Sequence, residues 1–147
     1  MANASWSPWS VLRRDLWSGD EWDEVLGMEP THIRLGILNT AGHLLDSHDY
    51  HGGLDAILGD VVPGSARIAG GHLRAKFKLS RSRQGERLAA DLADGMRFKL
   101  IAGYRTRAET IDQTTNPETR TATDWEPHEV SIVAVAAEGA STGLRAA

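Results

Sequence analysis

The run HLRAKFKLS, His72 to Ser80, constrains the fold of this chain more than any other stretch. Leu73, Ala75, Phe77 and Leu79 alternate strictly with His72, Arg74, Lys76 and Lys78. That period of two buries one face of a strand and hydrates the other. Gly70-Gly71 just before it marks a tight turn. The chain therefore contains a sheet with one apolar face and one wet face.

The neighbouring segments extend that reading. HIRLGILN, HLLDSH, ILGDVV and SARIA are short aliphatic, β-compatible runs broken by turn residues. RSRQGERLAADLADG switches to helical spacing, with Leu88, Ala89, Leu92 and Ala93 on one stripe, Ser82 as N-cap and Gly95 as the C′ stop. FKLIAGYRTRAET and TRTATDW read as two strands joined by Gln113 to Pro117, and Pro127 is expected to separate them from a last strand, EVSIVAVA. Many short strands with one inserted helix predict a mainly β member of the α+β class, an antiparallel β-barrel or sandwich.

Four of the five tryptophans, Trp6, Trp9, Trp17 and Trp22, lie in residues 1–30. This segment reads as an N-terminal arm with at most a short helix near Ser10–Trp17, its indoles docking on the domain or on a partner. Residues 31–138 form the domain, and the small-residue end, 139–147, reads as a loose tail.

A chain of 147 residues with 41% hydrophobic and 24% charged residues fits one globular domain. Without cysteine, disulfides, thiol nucleophiles and thiolate metal sites are excluded. A net charge of -4 argues against a nucleic-acid partner. The cations from Arg74 to Arg83 read first as a hydrated strand face, with contact to scaffold, capsid or DNA as the rival reading. No apolar run approaches a membrane span, and no secretory signal opens the chain, so a cytoplasmic setting is expected.

The densest titratable chemistry is HLLDSHDYHG, His43 to Gly52. On a continued strand His43, Leu45, Ser47 and Asp49 would face one way, and Leu44, Asp46, His48 and Tyr50 the other. No two histidines take adjacent same-face positions on a strand and no His-Glu-x-x-His run occurs, so no metal or other cofactor is expected. His48, at the end of an apolar strand, has two readings: a positioned general base, or a strand-end histidine capping backbone groups.

LLDSHDYHGGLDAILGDVV resembles the histidine motif of the caudovirus prohead protease family: an aliphatic pair, one or two variable residues and His-Asp, then a return strand with glycine and valine. TATDWEPHEVSIVAVAAEG is similar to the family's closing Thr-x-Trp-x-Pro-x-Glu-[Val/Ile]-Ser run. GHLRAKFKLSRS, a helix ending in Asp-Gly and a strand closing on Gly-Tyr-Arg lie between them in the family's order. The resemblance spans residues 30 to 140. It implies an assemblin-like closed β-barrel and serine peptidase chemistry on scaffold and capsid proteins inside the phage prohead of a bacterial host. His48 matches the family's general base. Glu129 is the candidate acid that orients it, with Asp49 as rival.

The resemblance breaks at the nucleophile. Where the family carries Ser-x-Gly-Tyr, this chain has Ile101-Ala102-Gly103-Tyr104, and Ile101 has no hydroxyl with which to form an acyl-enzyme. Thr106, five residues from Ile101 and about 17 Å along an extended strand, is expected to lie beyond the same pocket. The leading expectation is a prohead-protease fold without peptidase activity, acting in capsid assembly or as a minor virion component with capsid or scaffold proteins as partners. Homo-oligomerisation is left open. The alternatives are an active prohead serine protease and an unrelated β-barrel binding module.

Overall fold

The structure, a computed structural model, describes residues 2–6, 10–134 and 143–146. The elements in chain order are β1 (Ala2–Trp6), β2 (Ser10–Arg14), β3 (Glu21–Leu26), α1 (Gly36–Ala41), β4 (His43–Asp46), a 3₁₀ turn (Gly53–Ala56), β5 (Ile57–Val61), β6 (Arg67–Ala69), β7 (His72–Leu79), α2 (Arg83–Ala93), β8 (Lys99–Asp112), β9 (Glu118–Val133) and β10 (Gly143–Ala146). The strands form one sheet in the order β10-β1-β7-β5-β4-β9-β3-β2, with β6 added on β7 and β8 on β9.

The mainly β expectation holds, and the closed antiparallel barrel does not. The sheet curls into a half-barrel, and between the start of β8 and β10 only an isolated bridge, Phe98 to Leu144, is formed among the described residues. The sheet is also mixed. β9 pairs antiparallel with β8 along one edge and parallel with both β3 and β4 along the other. The reason is length. β3 covers β9 from Glu118 to Ala122, Ile33 bridges to Trp125, and β4 covers Glu129 to Ile132. Successive segments of the chain thus lie end to end along one long strand.

That arrangement explains why Pro127 does not end the strand. Pro127 sits between the stretches paired to β3 and to β4, where its missing N–H removes no ladder bond. On the β8 side, Gly103 pairs with Glu129 and Tyr104 with Pro127, so His128 is the extra residue of a β-bulge.

β7 behaves as its alternation demands: Leu73, Ala75 and Phe77 are buried, while Arg74, Lys76 and Lys78 are exposed. With Leu26, Leu38, Leu44, Leu100, Trp125 and Val130 they form the core. Trp125 is buried with its indole N–H donating to Gly27 O at 2.8 Å, so its one polar group is satisfied. α2 starts where expected: Ser82 Oγ accepts from Gly85 N, and Gly95 takes a φ of +89°. Its buried stripe is narrower than expected, since Leu88 and Leu92 are covered but Ala89 and Ala93 are exposed.

Three further expectations are corrected. HIRLGILN is not a strand: beyond the Ile33 bridge it forms α1, whose Leu38 enters the core and whose Asn39 amide bonds both backbone groups of Ala66. A short apolar run carries no periodicity that separates helix from strand, so tertiary contacts decide. Ser10–Trp17 is not helical. β2 and β3 form a hairpin whose turn is held by the Asp15 carboxylate, which accepts the N–H groups of Trp17 and Ser18 at 2.8 Å each. Trp17 at its tip is 98% exposed and does not dock on the domain, whereas Trp22 lies under the Arg120 guanidinium at 4.3 Å. The segment read as an arm thus supplies three strands to the sheet. At the other end, Gly143–Ala146 of the expected tail pairs antiparallel with β1. Trp9 and residues 135–142 lie outside the described residues.

Phe77, fully buried, is expected to lose about 3–5 kcal/mol on truncation to alanine. Ser82→Ala should lose about 1 kcal/mol through the vacated cap. Lys76→Ala, on the wet face of the same strand as Phe77, should stay within about 0.5 kcal/mol of wild type. Urea denaturation of the three variants checks this ordering.

Candidate functional site

Glu129 and Ser131 are the buried polar residues of the described chain, at 3% and 0% exposure. Both belong to β9 and, two residues apart, project from the same face. Glu129 is in register with His43 of β4 and with Gly103 of β8. The intervening Val130 is in the core, so Glu129 and Ser131 stand on the outer face of the half-barrel. A carboxylate buried there is tolerable only if its oxygens are bonded.

The loop after β4 supplies most of those bonds. The strand alternation read from the sequence stops at Asp46, because Ser47 and His48 both adopt left-handed backbone, with φ of 51° and 57°. For residues other than glycine this costs about 1–3 kcal/mol each and persists only where the surroundings enforce it. Two bonds do so: Ser47 N–H donates to Ile132 O at 2.9 Å, and His48 N–H donates to Ser131 Oγ at 2.9 Å. The tight turn folds the His48 ring back over β9. There its Nδ1 stands 2.5 Å from Glu129 Oε1. Tyr50 OH donates to the same oxygen at 3.0 Å, and Ser131 Oγ donates to Oε2 at 2.8 Å.

Both carboxylate oxygens are thereby satisfied. An ionised Glu129 makes His48 Nδ1 the proton-bearing nitrogen and leaves Nε2 as the acceptor. Nε2 has no hydrogen-bond partner among the described residues. The Tyr50 hydroxyl is pushed up to about 12, first by burial and then by the Glu129 charge, which disfavours a tyrosinate beside it. Tyr50 therefore acts as a neutral donor.

Asp49, the rival acid, plays another part. Its Oδ1 accepts the His51 N–H at 3.0 Å, and a Cβ at Gly52 would stand 2.2 Å from its Oδ2. It shapes the loop while Glu129 orients the histidine. Gly103 has a clear reason to be glycine: a Cβ there would meet Glu129 Oε1 at 2.2 Å and Tyr50 OH at 2.8 Å.

His48 opens onto a groove of about 560 Å³ whose lining includes Tyr50, Ile101, Ala102, Gly103, Thr106 and His128. The structure thus brings His48, Glu129 and the Ile101 position to one site. It also corrects the expectation for Thr106, which lines this same groove. The groove extends along β8 from Ile101 to Thr106, so a residue five positions on still borders it. Ser131 is unavailable as a nucleophile, being fully buried, with its oxygen holding both Glu129 and the His48 N–H.

The far end of the groove is built by Arg13, Glu24 and Tyr104. Arg13 Nε donates to Glu24 Oε2 at 3.0 Å and its Nη2 to Tyr104 OH at 3.2 Å, while Tyr104 OH donates to Glu24 Oε1. Burial, then Glu24, raises the Tyr104 hydroxyl above its usual range. The Tyr104 ring meets Trp125 edge-on with centroids 5.6 Å apart. Sequence reading missed this cluster, since its members lie up to 91 residues apart. Tyr50 and Ser131 were legible as neighbours of the key residues, but their roles were not. Among the described residues no three His, Asp or Glu side chains converge to hold a metal ion.

Comparison with protein-family models, curated proteins and solved structures gives no match.

Replacing Glu129 by Gln removes the charge beside Tyr50 but leaves its burial. One tyrosine should then ionise at lower pH than in wild type, moving from about 12 toward the ordinary phenol value of about 10. Absorbance titration of tyrosinate reads this directly, and an unchanged curve would mean that Glu129 does not charge the Tyr50 environment. Gly103→Ala should produce the same downward shift by displacing the carboxylate.

Proposed function

We propose that this protein has a prohead-protease-like site without peptidase activity and works by binding. Its setting would be phage capsid assembly or the virion within a bacterial host, where the groove holds a segment of a capsid or scaffold protein. The observation that carries this reading is the coexistence of a satisfied His48–Glu129 pair with an aliphatic side chain, Ile101, in the groove that His48 faces. An oriented imidazole can accept a proton from a nucleophile. Here the position where the resemblance expects serine offers none, and acyl transfer through it has no first step. The resemblance of residues 30 to 140 to the prohead proteases supplies the phage setting, and the mainly β half-barrel is compatible with it.

One hydroxyl keeps an active hydrolase as a second reading. Thr106 lines the groove and its hydroxyl makes no hydrogen bond among the described residues, unlike those of Tyr50 and Tyr104. Labelling by a fluorophosphonate probe separates the two. Wild type is expected to stay unlabelled, and Ile101→Ser to gain labelling that His48→Ala abolishes. Stoichiometric labelling of wild type that is lost in Thr106→Ala would overturn the inactive reading and establish a threonine hydrolase. Failure of Ile101→Ser to label or to cleave itself would remove the protease-derived reading of the site.

A further inference from the structure

Two groups of cations in this protein contrast. Arg13, Arg14, Arg34, Arg87, Arg107 and Arg120 each lie within ion-pair distance of a carboxylate. Arg67, Arg74, Lys76, Lys78 and Arg81 are all exposed, and none has an ion-pair partner among the described residues. These five are neighbours. Arg74, Lys76 and Lys78 share the wet face of β7, with successive side chains about 6.6–6.8 Å apart. Arg67 of β6 is the register partner of Arg74, so it points from the same face. Arg81 lines one hollow together with Lys78 and Asp60. On the β1 side the register partners of Arg74 and Lys76 are the uncharged Ser5 and Asn3.

The one carboxylate in register with this row is already engaged. Asp60 opposes Lys78, but its Oδ1 lies 2.5 Å from His43 Nδ1 on the next strand. A concentrated positive strip therefore stands on a chain whose net charge is -4. Like charges at neighbouring sheet positions oppose folding, so the strip lowers stability unless something else satisfies it.

We infer that this strip is a docking surface for an acidic, extended segment of a partner protein. The 6.6–6.8 Å repeat of alternate cations on β7 equals the repeat of alternate side chains in an extended peptide, so acidic residues at every second position meet it one for one. A nucleic acid fits less well. The strip lies on the convex side of a curled sheet, which meets a duplex over few phosphates. No exposed aromatic belongs to β5, β6 or β7 to stack single-stranded bases. A long polyanion also meets the net negative charge of the whole molecule, whereas a short segment senses what lies within a Debye length of about 8–10 Å.

The strip shares the outer face with the groove, because Lys78, Asp60, His43 and Glu129 are successive register partners. Three strand spacings separate β7 from β9, about 14 Å or some four extended residues. The assignment of the strip to a protein segment rests on charge and spacing alone. Its link to the groove rests on the proposed function.

Fluorescence anisotropy with the full chain tests the strip, using a labelled peptide of alternating Glu and Ala and, in parallel, an oligonucleotide carrying the same charge. The peptide is expected to bind at low salt and weaken as salt rises. The exposed double variant Lys76→Glu/Lys78→Glu should lower its affinity about tenfold or more, equivalent to about 1.4 kcal/mol. Circular dichroism and a urea midpoint no lower than that of wild type confirm that this variant folds. No binding at about 50 mM salt, or binding indifferent to the double reversal, overturns the proposal. Tighter binding of the oligonucleotide, lost in the same variant, reassigns the strip to nucleic acid and also overturns it. Ile101→Ser should leave peptide binding unchanged, so failure of the strip and failure of the proposed function are read by different variants.

Discussion

The architecture of the site follows from one constraint, a carboxylate buried on the outer face of a sheet. Glu129 needs partners for both oxygens, and no single element supplies them. Ser131 comes from its own strand, His48 and Tyr50 come from the loop after β4, and Gly103 on β8 contributes by having no side chain. The left-handed turn at Ser47 and His48 is the local strain that this solution requires, and it is held by backbone bonds to the strand that carries the glutamate. Loop, bulge and glycine are therefore one device.

The fold makes that device possible by giving β9 three partners. β8 flanks it along its length, while β3 and β4 share its other edge. Pro127 falls between their coverage, and the bulge at His128 turns the strand just before Glu129. The Trp125 ring, two residues before Pro127, fills the core and supports Tyr104, whose hydroxyl organises Arg13 and Glu24 at the groove's far end. Core packing on one face and groove chemistry on the other are thus fixed by the same few residues of β9.

A histidine oriented by a buried glutamate beside an isoleucine separates two properties that usually travel together. The geometry orients an imidazole, and the position that the resemblance assigns to a nucleophile carries no hydroxyl. The same outer face carries, about three strands from the groove, a row of cations without ion-pair partners among the described residues. The proposed docking of an extended acidic chain would use that row.

The sequence by itself determined what depends on local periodicity and side-chain identity. The alternation of β7, the Ser82 and Gly95 boundaries of α2, and the lack of any nucleophile at Ile101 are all legible because each rests on residues adjacent in the chain. His48 and Glu129 were also legible, but through resemblance, since no spacing rule connects residues 81 positions apart. Only the tertiary structure decided the rest. It made HIRLGILN a helix, turned the tryptophan-rich segment and part of the small-residue end into strands, carried β9 through Pro127, and left the sheet a mixed half-barrel. It also chose Glu129 over Asp49 and brought Thr106 into the groove. Strand pairing and burial are non-local: whether a short apolar run is helix or strand, and which carboxylate reaches an imidazole, depends on what the folded chain places beside it.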